Sequence, residues 1–252
     1  MVYKRIRQGL IALLHRGLPY TCVLCGGDGD EACDLCSACR ADFPYITTAC
    51  QHCGQSLPAG CLADAAVSLV CGQCLKKPPL YQKAISLCAY EPPISWLIQG
   101  LKFNGKLQYG RLMAKLMLDH LGRNWAGIVR PELIIPVPLH PNRLRSRGFN
   151  QAMELALPIA EGLTIPLDAN SCVRVLDTPP QSDLPAKKRK ANVRKAFALV
   201  GNISAKNIAI VDDVMTTGAT VNELAKLLLR NGAQSVQVWV MARTQRSLTK
   251  SR

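Results

Sequence analysis

Two adjacent carboxylates followed, after two apolar residues, by hydroxyls and a glycine form the most chemically loaded stretch of the chain, Ile208-Ala209-Ile210-Val211-Asp212-Asp213-Val214-Met215-Thr216-Thr217-Gly218-Ala219-Thr220. Hydroxyls and backbone N–H groups at a helix start converge well on an anion, and in small-molecule chemistry that anion is usually phosphate. Gly218 lets the backbone come close to such a ligand. Carboxylates beside a phosphate cradle look contradictory until a sugar or a hard cation stands between them. Asp212 and Asp213 can accept hydrogen bonds from vicinal ribose hydroxyls, and their oxygens suit Mg²⁺.

The elements that must position these groups are legible on either side. Ile208 to Val211, apolar and β-branched, predicts a buried parallel strand, and the apolar spacing from Val221 to Arg230 predicts a helix. Thr220 stands three residues before Glu223, the spacing of a capping box, so the helix is expected to begin close to Thr220 and end before Gly232. The whole stretch resembles the phosphoribosyl-pyrophosphate signature of type I phosphoribosyltransferases. That resemblance implies that Asp212 and Asp213 hold the ribose hydroxyls, directly or through metal, and that Thr216, Thr217, Gly218, Ala219 and Thr220 hold the 5′-phosphate. In purine-transferring relatives a carboxylate often stands at the position of Thr216, which cannot act as a base at neutral pH. The acceptor half of the site thus carries no clear purine signature.

A second chemistry is written in the cysteines, ten of whose twelve fall within residues 22–74. Cys22-x-x-Cys25 with Cys36-x-x-Cys39, and Cys50-x-x-Cys53 with Cys71-x-x-Cys74, form two sets in which each pair grips an ion from one short turn. Two structural zinc ribbons are expected, because a segment so poor in large apolar side chains needs metal to assemble a core. A disulfide framework would need an oxidising compartment and is the weaker reading. Cys33 and Cys61 are spare. Cys33 precedes Cys36 by three residues, so Cys33/Cys36 competes with the favoured Cys36/Cys39 as a ligand pair. His52 reads as an exposed turn residue.

Lys76-Lys77-Pro78-Pro79 reads as a linker, giving an expected division into residues 1–80 and 81–252. Ala84 to Tyr90 predicts a strand broken by Glu91-Pro92-Pro93, and Ile94 to Leu121 predicts two helices separated at Asn104-Gly105, with His120 at a helix end. Leu133 to Val137 predicts another buried strand. Beyond it, Arg143, Arg145 and Arg147 alternate in what reads as a loop at a strand's carboxyl end, where open α/β sheets place ligands and where guanidinium forks match phosphate oxygens. Phe149 to Glu161 reads as helix, kinked or restarted at Pro158. Val173 to Leu176 is a weak strand, Phe197 and Leu199 mark a return strand, and Val236 to Ala242 a final one. Between them, Lys187-Lys188-Arg189-Lys190-Ala191-Asn192-Val193-Arg194-Lys195 carries six basic residues in nine. This segment is expected to close as a lid over an anionic substrate.

Charge agrees with an anionic ligand. The chain holds 31 basic and 17 acidic residues, a net charge of +14. Residues 1–80 hold seven basic and six acidic side chains, so +13 of that excess belongs to residues 81–252. Such a field favours a pyrophosphate or a nucleic-acid backbone alike. The basic start, Lys4, Arg5 and Arg7, leads into an apolar run too short for a signal peptide, and no stretch approaches a membrane span, so a cytoplasmic location is expected. No phosphate loop of the G-x-x-x-x-G-K-[ST] type occurs.

Taken in order, the zinc knuckles, Lys102-Phe103 after Gly100, Pro136-Val137-Pro138-Leu139, Arg147-Gly148-Phe149-Asn150-Gln151, Asn192-Val193-Arg194-Lys195-Ala196-Phe197 and Asp212 to Thr220 resemble the ComF/GntX-like family. Asn231-Gly232-Ala233 through Arg243 is most similar to the GntX branch. The resemblance implies a phosphoribosyltransferase-like α/β fold behind a double zinc ribbon, and a link to competence and the use of external DNA. The resulting expectation is a protein that binds phosphoribosyl pyrophosphate with Mg²⁺ and serves DNA uptake or nucleotide salvage. If pentosyl transfer occurs, Asp212, Asp213, Arg147 and Lys188 form the candidate catalytic set, with Arg143 and Arg145 also facing the pyrophosphate. The alternative is a non-catalytic adaptor for single-stranded DNA that docks a DNA-uptake helicase. Only 13 of 252 residues are aromatic, which leaves few stacking platforms for bases.

Overall fold

The computed structural model describes residues 20–30, 33–58, 69–123, 129–177 and 195–245. The chain forms two compact units, Met1–Phe43 and Pro44–Arg252.

In the first unit a tight turn at Cys22 to Gly27 precedes a short helix, α1 (Ser37–Ala41). In the turn the Gly26 N–H donates to the Cys22 carbonyl at 2.9 Å, and Gly26 adopts φ +76°, a conformation that costs a side-chain-bearing residue about 1–2 kcal/mol.

The second unit repeats that turn. The Gly54 N–H donates to the Cys50 carbonyl at 2.9 Å, Gly54 adopts φ +65°, and helix α2 (Gly72–Lys76) follows. Behind it stands a four-stranded, all-parallel sheet in the order β1-β6-β5-β2, built from β1 (Lys83–Ala89), β2 (Leu133–Pro136), β5 (Asn207–Met215) and β6 (Ser235–Arg243). These strands read as almost continuous apolar runs because a parallel sheet is covered on both faces. A separate antiparallel pair, β3 (Cys172–Arg174) and β4 (Phe197–Leu199), supplies the expected return strand.

Helix α3 (Ile94–Asn104) ends at Gly105 in the left-handed region, and α4 (Leu107–Arg123) begins directly after it, as Asn104-Gly105 predicts. Helix α6 (Gln151–Leu163) starts at Asn150, whose side-chain oxygen accepts from the Ala152 N–H at 3.0 Å. It runs through Pro158 as one helix, so the pattern does not restart there. Helix α4 packs on α6, and α6 covers β5 and β2. Helix α7 (Ala219–Arg230) buries Val221, Leu224, Ala225 and Leu228 in one core with Ile208, Ile210, Val236, Val238 and Val240 of the sheet. Among the described residues no helix is long and apolar enough to cross a membrane.

Two local expectations are corrected. The arginines after β2 lie on a helix, α5 (Pro141–Arg147), rather than in a loop. Pro141 at the first helical position is pre-set for helix, and the His140 side chain accepts from the Asn142 N–H at 3.2 Å, so a charge-rich run acquires a proper start. The Thr220–Glu223 capping box is absent. The cap is Gly218 in the left-handed region at φ +76°, with no side-chain cap bond, and Thr220 already lies inside the helix.

Candidate anion-binding site and metal centres

Strand β5 carries Asp212 and Asp213 to the carboxyl edge of the sheet, where ligands of open α/β folds bind. Each carboxylate is pinned by the backbone beyond it. Asp212 Oδ1 accepts from the Asp213 N–H at 2.9 Å, and Asp213 Oδ1 from the Val214 N–H at 2.7 Å. Asp213 is buried, and its Oδ2 lies 2.7 Å from Lys102 Nζ. Burial works against the charge of Lys102, but Asp213 and then Asp212 more than offset it and hold its pKa above the ordinary value. Burial and the neighbouring Asp213 charge push the Asp212 carboxyl up to about 8, against the pull of Lys102.

Past the strand, Thr217 Oγ1 accepts from the Ala219 N–H at 3.3 Å, and the chain turns at Gly218 into α7. A Cβ on Gly218 would stand 3.3 Å from Tyr81 Oη and 3.4 Å from Met215 Sδ, so the turn is also tightly seated. Thr216, Thr217, Gly218, Ala219 and Thr220 thus form one short segment that starts where β5 ends, two residues beyond the paired acids.

Helix α5 sorts the three arginines. Arg143 and Arg147, four residues apart and therefore on one face, are half-buried, whereas Arg145 is exposed and donates to Asn142 Oδ1 at 2.6 Å. Arg147 donates to Gln151 Oε1 at 2.6 Å and stacks its guanidinium 5.8 Å from the Phe103 ring centre. Burial lowers its pKa, with Asp213 favouring its charge and Arg143 opposing it. Arg147 thus stands close enough to Asp213 to feel its charge. Lys188 and the proposed lid from Lys187 to Arg194 lie outside the described residues, as does Cys61.

Two residues of this neighbourhood carried no site signal in the sequence. Lys102 arrives from α3, 111 positions before Asp213, and its motif with Phe103 marked the family without indicating a role. Arg174 in β3 is buried, with its guanidinium 5.7 Å from the Phe197 ring centre. Burial lowers its pKa and Arg143 adds to that, while Asp212 and Asp177 favour its charge. Neither could be found from local pattern, because a lysine on an amphipathic helix and an arginine in a short strand are ordinary surface residues until the fold closes.

The cysteines form two clusters, Cys22/Cys25/Cys36/Cys39 in the first unit and Cys50/Cys53/Cys71/Cys74 in the second, each with all sulfurs within 4.8 Å of one another. Cys25 Sγ and Cys36 Sγ are 3.8 Å apart, and Cys53 Sγ and Cys71 Sγ 3.7 Å apart. A disulfide needs about 2 Å. The edge of a tetrahedron whose metal–sulfur bonds are about 2.3 Å is about 3.8 Å, so both clusters fit zinc. Backbone N–H groups of Cys39 and Cys71 donate to Cys36 Sγ and Cys50 Sγ, an arrangement that favours thiolates. Cys36 and Cys39 lie with Cys22 and Cys25 in the first cluster, and Cys33 Sγ accepts from Arg40 Nη2 at 3.3 Å.

Residues 150–252 match the phosphoribosyl transferase domain and residues 13–75 the double zinc ribbon domain. The class is therefore a phosphoribosyltransferase-type domain preceded by a double zinc ribbon. Over 212 residues the chain is 41% identical to DNA utilization protein YhgH of Salmonella typhi, covering 83% of this chain and 90% of that one. The Escherichia coli K12 protein of the same name is 39% identical over the same span, with the same coverage. Competence protein F of Haemophilus influenzae is 36% identical over 233 residues, 89% of this chain and 97% of that one. The chain belongs to the ComF/GntX-like family of competence and DNA-utilization proteins.

Proposed function

We propose that the protein binds phosphoribosyl pyrophosphate with Mg²⁺ at the carboxyl edge of β5, in the service of DNA uptake or nucleotide salvage. The observation that carries this reading is the run of paired acids, Thr-Thr-Gly turn and helix start on a single strand end, with Lys102 and Arg147 drawn in from separate helices. Asp212 and Asp213 offer the oxygen donors that Mg²⁺ prefers. They do not form an all-protein cage, which suits an ion that arrives with its phosphates; Mg²⁺ held by them would supply charge neutralisation for a departing pyrophosphate. Thr216 to Thr220 hold the 5′-phosphate through hydroxyls and N–H groups. Asp212 and Asp213 orient the ribose hydroxyls and tolerate positive charge developing at the anomeric carbon. Arg147 and Arg143 face the pyrophosphate, and Lys188 adds a further cation for it. Residues 1–80 act as the double zinc ribbon module and 81–252 as the donor-binding module of a cytoplasmic protein.

Calorimetric titration of the zinc-loaded protein with phosphoribosyl pyrophosphate, with and without Mg²⁺, tests this. Binding should appear with Mg²⁺ and vanish in the Asp212→Ala/Asp213→Ala variant at unchanged zinc content. No binding by the native protein would sink the reading.

One observation favours a second reading, an adaptor for single-stranded DNA that docks a DNA-uptake helicase. Trp96 and Phe103, 61% and 74% exposed, lie seven residues apart on one face of α3, and Arg147 stacks on Phe103. Solvent-facing aromatics beside cations are what sequence-independent base stacking needs. In that case affinity should fall steeply with salt, and Trp96→Ala/Phe103→Ala should weaken it by about 1–3 kcal/mol per base lost.

A further inference from the structure

Arg243, the last residue of β6, is 1% exposed, and among the described residues no carboxylate lies within ion-pair distance of it. A guanidinium sealed inside a protein without a counter-charge is costly. Its hydrogen bonds go instead to three carbonyls of two distant segments. Nε donates to the Cys53 carbonyl at 3.1 Å, and Nη1 to the Met215 carbonyl at 2.9 Å and to the Thr216 carbonyl. Cys53 belongs to the second cysteine cluster, and Met215 and Thr216 are the residues at which β5 becomes the anion-binding segment. Zinc held by four thiolates carries a formal charge of −2, so the loaded cluster supplies a counter-charge that Arg243 does not find among the described carboxylates.

The knuckle is also seated directly on the sheet. A Cβ on Gly54 would collide with the Ser86 hydroxyl and stand 3.1 Å from the Ala84 carbonyl, so only glycine fits. Gln55 Nε2 donates to Gln245 Oε1, two residues past Arg243. The metal centre and the strand end therefore share a rigid, close-packed connection with a charged pin through it.

We propose that Arg243 is a positioning residue that couples zinc occupancy at Cys50/Cys53/Cys71/Cys74 to the conformation of Thr216 to Thr220. Zinc at this cluster holds the guanidinium, the guanidinium fixes the Met215 and Thr216 carbonyls, and the segment that follows presents its N–H groups and hydroxyls in one arrangement. Its role in ligand binding rests on the reading of Thr216 to Thr220 as the phosphate-holding segment. Coupling free energies are reciprocal, so an anion bound at the segment must tighten zinc at the second cluster by the same factor by which zinc tightens the anion. The first cluster has no part in this.

The test uses the full-length, zinc-loaded protein. Chelator-driven zinc release is followed with and without phosphoribosyl pyrophosphate and Mg²⁺, the Cys36→Ser/Cys39→Ser variant identifying which phase belongs to the second cluster. The ligand should slow that phase and leave the other unchanged. Arg243→Gln should abolish the difference, and Arg243→Lys, which keeps the charge but loses the fork, should restore only part of it. Equal slowing of both phases, or protection that survives in Arg243→Gln, overturns the proposal. Amide hydrogen exchange across residues 215–220 judges the coupling without any ligand, so a failure of phosphoribosyl pyrophosphate to bind does not decide it. Exchange there should accelerate on loss of the second zinc and in Arg243→Gln, and unchanged exchange after zinc loss also overturns the proposal.

Discussion

Replacing Lys102 by methionine removes the cation that faces Asp213 across 2.7 Å, where the two side chains are 22% and 4% exposed. At an effective dielectric of about 20 the gross attraction over that distance is about 6 kcal/mol. The observable loss is smaller, because water reaches part of the Lys102 side chain and the site relaxes around the carboxylate left behind. Allowing for the partial exposure of Lys102, Lys102→Met should destabilise the second unit by about 3 kcal/mol at pH 7, within the range found when one partner of a buried pair is removed. Lys102→Met/Asp213→Asn removes both charges and should recover most of that loss, giving a coupling of about 2 kcal/mol in a double-mutant cycle. The assay is urea unfolding at matched zinc content and fixed pH 7. A single-variant loss below about 0.5 kcal/mol at pH 7, or a double variant no more stable than Lys102→Met, would refute the reasoning.

Asp212 should make the opposite contribution to pH dependence from an ordinary salt-bridged acid. Its folded pKa of about 8 lies above the unfolded value, so the native state holds a proton that the unfolded chain has already released. Stability contributed at this position should fall as pH rises from about 4 toward about 8 and level off above; unfolding curves of native protein and Asp212→Asn should diverge over that window. Gly218→Ala forces a side chain into φ +76° beside Tyr81 and Met215, and should cost about 1–2 kcal/mol in chemical unfolding. Cys50→Ser should halve the zinc content measured by metal analysis, since the two clusters share no ligand. The same variant should lower the unfolding midpoint of the sheet-bearing unit, in which its cluster lies.

The parallel strands were legible because covered sheets need uninterrupted apolar runs, and Ile208 to Val211 or Val236 to Ala242 offer no other explanation. The knuckles were equally legible, since four thiolates cannot bind one ion without their paired spacing. Helix α5 was not, because three arginines in seven residues dominate the pattern and the start signal comes from His140, an uncommon cap, followed by Pro141. The false capping box shows the reverse error: Thr220 and Glu223 have the spacing, but the chain must leave the strand through a left-handed residue, and only Gly218 provides it without strain. Lys102, Arg174 and Arg243 were invisible for a different reason. Each acts on a partner far away in sequence, and long-range pairing leaves no periodicity to read.

The two knuckles have nearly the same ligand geometry but very different shelter. Cys25 is exposed with Cys36 and Cys39 half-buried, whereas Cys50, Cys53 and Cys74 are all buried, Cys50 completely. Oxidants and alkylating agents attack the sulfurs they can reach. Chemical damage should therefore have an order: the first ribbon loses its ion while the second, with the sheet behind it, stays intact, so a partly oxidised molecule keeps its ligand site after its leading module has come undone.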